Sequence, residues 1–169
     1  MPMNSTDTQS TPTAEIKHVT IYTDGGSKPN PGPGGYGVVM LFGDKRREIF
    51  AGYKNTTNNR MEIMAAIAGL EALRYPCKVT LYTDSQYVAN GITLGWAKRW
   101  RSKGWMRTKD DKAINPDLWG RLLILCEKHQ VSFEWVRGHS GNEENERCDA
   151  LSTAAREGKE LLIDPGYVV

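Results

Sequence analysis

The sequence predicts an α/β fold: a mixed five-stranded sheet, antiparallel through its first three strands, extended by parallel additions and flanked by helices. Three observations predict it. Runs rich in β-branched and aromatic residues begin at His18, Tyr36, Arg46, Val79 and Val131. Gly43-Asp44 separates the second run from the third and is a turn pair of the kind that joins antiparallel strands. Segments with helical apolar spacing separate the later runs, and a strand–helix–strand connection normally makes parallel neighbours.

The elements follow in order. Residues 1–15 (MPMNSTDTQSTPTAE) hold almost no large apolar side chain and are predicted to be a disordered tail. Residues 16–158 are read as the folded domain and 159–169 as a C-terminal tail. The first strand runs from His18 to Asp24, and the Gly/Pro segment 25–35 (GGSKPNPGPGG) reads as a loop, neither helix nor central strand. Strands over Tyr36–Phe42 and Arg46–Tyr53 form the hairpin. Asn59–Leu73 is rich in helix formers, with Ile63, Ile67 and Leu70 as its apolar stripe and Asn59 and Glu62 fitting a capping box. A strand over Val79–Thr83 leads to Asp84, then to a short helix from Ser85 toward Asn90. Asp117–Lys128 is helical, Val131–Val136 alternates as the fifth strand, and Asn142–Glu157 closes as a helix bearing Cys148, Leu151 and Ala155.

With 169 residues, 39% hydrophobic and 25% charged, there is room for one ordinary domain and little for a second. No apolar run approaches the ~18 residues of a membrane helix, and the N-terminus lacks a secretory h-region. A cytoplasmic monomer without a membrane partner is the expectation. Cys77, Cys126 and Cys148 are widely spaced and odd in number, so they read as free thiols in packing roles, not as a disulfide framework or zinc site.

The net charge of +2 points to no polyanion, but the charge is unevenly distributed. Residues 95–112 carry seven basic side chains against Asp110 and Asp111, so this segment is net positive by five while the remainder is net negative by three. It also holds Trp96, Trp100 and Trp105. A solvated basic helix has little use for three tryptophans, so the segment is read as a surface that follows a phosphate backbone.

An internal echo organises the acidic residues. Residues 19–24 read VTIYTD and residues 79–84 read VTLYTD. As parallel neighbours with matched side-chain parity, the two strands bring Asp24 and Asp84 to the same face of the same sheet edge. Glu62 shares a helical stripe with Ala66 and Gly69, small residues that permit close approach to the sheet, whereas Glu71 points away. Asp149 lies in an apolar stretch of the last helix. Inward carboxylates need neutralising, either by Arg60 or Arg147 as plain ion pairs or by divalent cations. Carboxylates without His or Cys partners suit Mg²⁺, with Mn²⁺ as a substitute, and four of them can hold two ions ~3.5 to 4 Å apart, the arrangement used in phosphodiester cleavage.

These stretches, in order, resemble type 1 ribonuclease H over nearly all of residues 17–157: YTDGGSKPNPGPGGYG, TTNNRMEIMAAIAGLEAL, YTDSQYV, GWAKRW with KGW, NPDLW and WVRGHSGNEENERCDALS. The resemblance implies the ribonuclease H fold and an endonuclease that hydrolyses the RNA strand of RNA/DNA hybrids, leaving 3′-hydroxyl and 5′-phosphate ends. By position it makes Asp24, Glu62, Asp84 and Asp149 the metal-binding carboxylates and sets His139 near the scissile phosphate, where a mobile imidazole moves protons or helps product leave. Asn30, Asn58, Asn59 and Gln86 are implied to contact the hybrid's groove, with Gly25 and Ser27 near the RNA backbone. Trp96 and Trp100, with Lys98, Arg99, Arg101 and Lys103 as phosphate partners, resemble a basic protrusion that grips the DNA strand, and Thr57 and Asn115 match a DNA phosphate pocket. Relatives often place arginine where Asn55 stands. A non-catalytic hybrid-binding module is disfavoured by the intact set of four acids. A DNA transposase or resolvase of related fold is disfavoured by the groove asparagines.

Overall fold

The computed structural model describes residues 16–168, and the tail expected at 1–15 lies outside the described residues. The elements run β1 (His18–Ser27), β2 (Gly32–Phe42), β3 (Lys45–Thr56), α1 (Asn58–Glu71), β4 (Lys78–Thr83), α2 (Gln86–Thr93), α3 (Trp96–Ser102), α4 (Pro116–Lys128), β5 (Gln130–Trp135) and α5 (Glu143–Arg156). The sheet order is β3-β2-β1-β4-β5. β1, β2 and β3 are antiparallel neighbours, and β4 and β5 add in parallel, as the sequence predicts.

Two layers of helix enclose the sheet. On one face α1 packs its Ile63, Ile67 and Leu70 against Ile21, Val38 and Leu81, and Leu118, Trp119 and Leu122 of α4 complete this main core. Gly69 of α1 faces Ile21 so closely that an added Cβ would stand 3.0 Å from its methyl group, which is why small residues line this stripe. On the other face Cys148 and Leu151 of α5 close over Val39. Cys77 and Cys148 are buried and Cys126 is half-buried.

Three local expectations are corrected. The Gly/Pro segment is mostly strand: Gly25, Gly26 and Ser27 pair with Tyr36, Gly35 and Gly34, leaving only a short turn between β1 and β2. Glycine is used there because neighbouring backbone is too near for a side chain; a Cβ on Gly35 would strike the Ser152 carbonyl, and one on Gly37 that of Cys148. The cap of α1 is Thr57, not Asn59: its backbone is extended and its Oγ1 accepts from the Arg60 N–H at 3.2 Å. Finally, residues read as a C-terminal tail are fastened to the domain. Leu162 N–H donates to the Gly52 carbonyl at 2.8 Å, Leu162 accepts from Lys54 N–H at 2.9 Å, and Asp164 is buried. Its partners lie about a hundred residues away in the chain, so no local pattern announces them.

Candidate active site

The parallel register of β1 and β4 pairs Thr23 with Thr83, so the next residues stand side by side: Asp24, still within β1, and Asp84, just past the end of β4. Glu62, in the second turn of α1, comes down onto them because Gly25 lets the helix approach; a Cβ on Gly25 would overlap the Met61 carbonyl. The Gly25 N–H donates to Asp24 Oδ1 at 2.9 Å and to Glu62 Oε1 at 3.3 Å. One oxygen each from Asp24, Glu62 and Asp84 lie within 4.8 Å of one another. Asp149, on α5, stands beside Asp24 and adds its charge to the cluster without being one of that trio.

The electrostatics are those of charges gathered out of water. Burial, and then the charge of Asp84, push the Asp24 carboxyl up to about 8. Burial and the two neighbouring aspartates raise Glu62 well above the usual carboxylate range. Asp84 is raised by burial, with His139 pulling the other way. Neither arginine weighed from the sequence neutralises the cluster: Arg147 pairs with Glu48, and Arg60 with Asp117 and Asp164. Glu62 Oε2 and Asp84 Oδ1 are buried without a hydrogen-bond partner among the described residues. Hard oxygen donors, crowded and unsatisfied, are what a divalent cation such as Mg²⁺ or Mn²⁺ binds, so the residues fit the implied metal.

His139 is exposed on the β5–α5 loop with φ +55°, near enough to act on Asp84. Gly138 brings that loop in, since a Cβ there would stand 2.7 Å from Asp84 Oδ2. His18 and His129 lie elsewhere: the first contacts Thr80, and the second is buried with Nδ1 accepting from the Cys77 N–H.

Beside the carboxylates, Ser27, Asn30 and Asn58 share one network. Asn58 Oδ1 accepts from Ser27 N–H at 2.7 Å, and Asn30 Oδ1 accepts from Ser27 Oγ at 3.1 Å and Asn58 N–H at 3.0 Å. Both amide oxygens are used internally, and among the described residues neither amide nitrogen has a protein partner. Asn59 and Gln86 are exposed at the starts of α1 and α2. Thr57 and Asn115 line a groove of about 660 Å³ with Asn30 and Asn59.

The basic segment divides differently from its sequence pattern. Trp100 packs edge-on against buried Trp119 with centroids 6.2 Å apart, Trp96 leans on Trp100, and Trp105 also packs on the core. The tryptophans therefore anchor α3 to the domain. The lysines and arginines face out: Lys98, Arg99 and Lys103 are exposed and form no ion pair among the described residues, while Arg101 is held by Glu127. Sequence reasoning missed Asp164 altogether, and Arg60, weighed there as one possible partner of the inward carboxylates, pairs instead with Asp117 and Asp164. The Asp-Pro-Gly turn signature at 164–166 marks a bend there but not its burial.

Comparison with known proteins agrees with this geometry. A family model for RNase H matches residues 16–157. The ribonuclease H of Syntrophus aciditrophicus (strain SB) is 61% identical over 151 residues, which is 89% of this chain and 87% of that protein. Among solved structures, LC9-RNase H1, a type 1 RNase H with the type 2 active-site motif, matches with TM-score 0.73 and 32% identity over 83% of this chain and 72% of its own. LC11-RNase H1, solved in complex with an RNA/DNA hybrid, matches with TM-score 0.61 and 26% identity over 81% of this chain and 95% of its own. Strand order, acidic trio and sequence match converge, and the chain belongs to the type 1 ribonuclease H family of nucleases.

Proposed function

We propose that the protein is an endonuclease that uses two Mg²⁺ ions to hydrolyse the RNA strand of RNA/DNA hybrids, leaving 3′-hydroxyl and 5′-phosphate ends. The observation that carries this reading is the convergence of Asp24, Glu62 and Asp84, with two buried carboxylate oxygens that lack a protein partner among the described residues. Together with Asp149 these residues would hold the ions, which when bound supply activation of water and stabilisation of charge on the leaving oxygen. All four acids come from one chain, so a monomer suffices, and free cysteines suit the reducing cytoplasm.

The chain's own side chains do the rest. Ser27 locks Asn30 and Asn58 with their amide nitrogens free to donate, which suits the acceptor-rich minor groove and the 2′-hydroxyls that distinguish RNA. Gly25 and Ser27 lie near the RNA backbone, with Asn59 and Gln86 on the same side. Thr57 and Asn115 take a DNA phosphate, and the outward basic residues of α3 follow the DNA strand, with Trp96 and Trp100 supporting them. His139, exposed and near Asp84, accepts or delivers a proton as product forms.

Labelled hybrid, duplex RNA, single-stranded RNA and duplex DNA, each with Mg²⁺ and with chelator, test the reading. Only the hybrid is expected to be cut, and only with metal. Cleavage that survives chelation, or that favours duplex DNA, overturns it.

Two variants separate the parts. His139→Ala is expected to lower kcat about 10- to 100-fold with KM little changed, because the acids remain in place. Loss of all activity would make the imidazole indispensable, and no loss would remove it from the chemistry. Replacing Lys98, Arg99, Arg101 and Lys103 together with Ala is expected to raise KM and spare kcat. Each lost phosphate contact flattens log K against log salt by ~0.9 or less. Arg101, already paired, contributes least. An unchanged slope would show that α3 is only a solvated surface.

A further inference from the structure

Arg60 stands in the first turn of α1 with its side chain 3% exposed. All five of its side-chain N–H groups are engaged. Nε and Nη2 donate to Asp164 at 2.7 and 2.9 Å, Nη1 and Nη2 to Asp117 at 2.9 and 2.7 Å, and the remaining Nη1 hydrogen to Asn115 Oδ1 at 3.1 Å. A guanidinium with every hydrogen committed cannot bind a ligand; it fixes the groups it holds. The group it holds toward the groove is Asn115, the cap of α4, which has φ +60° and makes no capping hydrogen bond with its side chain.

Because Arg60 occupies Oδ1, the Asn115 amide nitrogen is turned away from it, toward the Tyr87 hydroxyl 3.4 Å away, and Asn115 itself lines the groove. Thr57 Oγ1 is held likewise: it accepts from Arg60 N–H, which leaves its own proton to donate. Thus one residue's backbone and side chain set two neutral donors into one groove. The end of the chain supports the arrangement. Asp164 also accepts from Thr56 Oγ1 at 2.7 Å, and Gly166 packs so tightly on Arg60 and Asp117 that a Cβ there would overlap both. Tyr167 and Val168 form part of the groove wall.

We infer that Asp164 is a positioning residue for nucleic-acid binding: through Arg60 it fixes the Asn115 amide so that Asn115 and Thr57 present donors to one backbone phosphate. The inference rests on the reading of Thr57 and Asn115 as a phosphate pocket given above. Two carboxylates offset the Arg60 charge, so the pocket works through hydrogen-bond direction. A flipped Asn115 amide would turn an oxygen toward the phosphate, and Arg60 prevents that flip.

Steady-state kinetics on an RNA/DNA hybrid with Mg²⁺ test this, using wild type, Asp164→Asn, Asn115→Ala and the double variant at a temperature where melts show each fully folded. Asp164→Asn is expected to raise KM about fivefold, the effect of one misdirected hydrogen bond, with kcat within about twofold. Asn115→Ala is expected to raise KM at least as much, and the double variant no more than Asn115→Ala alone. Unchanged KM in Asp164→Asn, or effects that multiply in the double variant, overturn the positioning role while the pocket stands. Unchanged KM in Asn115→Ala overturns the pocket itself and the inference with it. If Asp164→Asn does not fold, Thr56→Val takes its place, since it removes one hydrogen bond to Asp164 and keeps both charges. It is expected to raise KM about twofold, and to have no effect once Asn115 is replaced by Ala; no rise in the otherwise wild-type chain overturns the inference.

Discussion

Asp24→Asn is expected to abolish cleavage, lowering kcat by about a thousandfold or more, while hybrid binding survives. The amide keeps the shape of Asp24 and the bond to Gly25 but removes a charge from the place where three carboxylates converge. Near-normal turnover by a folded variant would sink the assignment of this cluster as the catalytic centre. The same substitution is expected to stabilise the protein in chelator. Burial and Asp84 raise the Asp24 carboxyl to about 8, above its unfolded value near 4. A group shifted this way contributes stability below its unfolded pKa and loses it as pH rises through the folded one. The advantage of the Asp24→Asn variant should therefore grow between about pH 4 and pH 8, reaching about 1–3 kcal/mol, or roughly 2–4 °C in Tm for each kcal/mol. Melts of both proteins at the two ends of that range, in chelator, decide it; a constant difference would mean that burial and Asp84 do not raise the Asp24 carboxyl.

The largest loss of stability is expected from Arg60→Ala. It leaves Asp164 buried with Thr56 and the Gly166 N–H but no cation, and breaking a buried pair in this manner costs about 3–5 kcal/mol. Tm should fall by about 10 °C or more. Asp117 and Asp164 are both held below the usual carboxylate range in the folded protein, where Arg60 hydrogen-bonds to each. Lowered carboxylates stabilise above their unfolded pKa and cease to as pH falls through the folded one, so the gap between wild type and variant should narrow below about pH 4. A gap that stays constant into acid would attribute the loss to packing alone.

What could be read in advance depended on the range over which each residue is determined. The echo of VTIYTD in VTLYTD located Asp24 and Asp84, because parallel strands of equal rise carry equal positions to the same edge. Glu62 was legible from the small residues on its own helical stripe. Local rules failed where distant backbone decides the geometry. Glycines in 25–35 looked like a loop, yet they lie in β1 and β2, where α1 at Gly25 and α5 at Gly35 press too closely for side chains. Trp100 and Trp105 looked like part of a binding surface, but Trp119 and the core claim them. Arg60 was noticed as a cation near acids, but its partners come from α4 and from a segment with no periodicity at all.

The short parallel bridge made by Leu162 has a further consequence, for solubility. β3 is one of the two outer strands of the sheet, and an unpaired strand edge is a template on which another chain can add. Along Lys45–Glu48 the strand protects itself with charge: Lys45, Arg46, Arg47 and Glu48 follow one another. From Phe50 to Tyr53 there is no charged residue, and Phe50 is 59% exposed. That is the stretch where Leu162 occupies the Gly52 carbonyl and the Lys54 N–H. The segment around Leu162 thus seals a part of this edge that the sequence of β3 leaves without charge. A molecule that lost the strap would be recognised first by its tendency to self-associate.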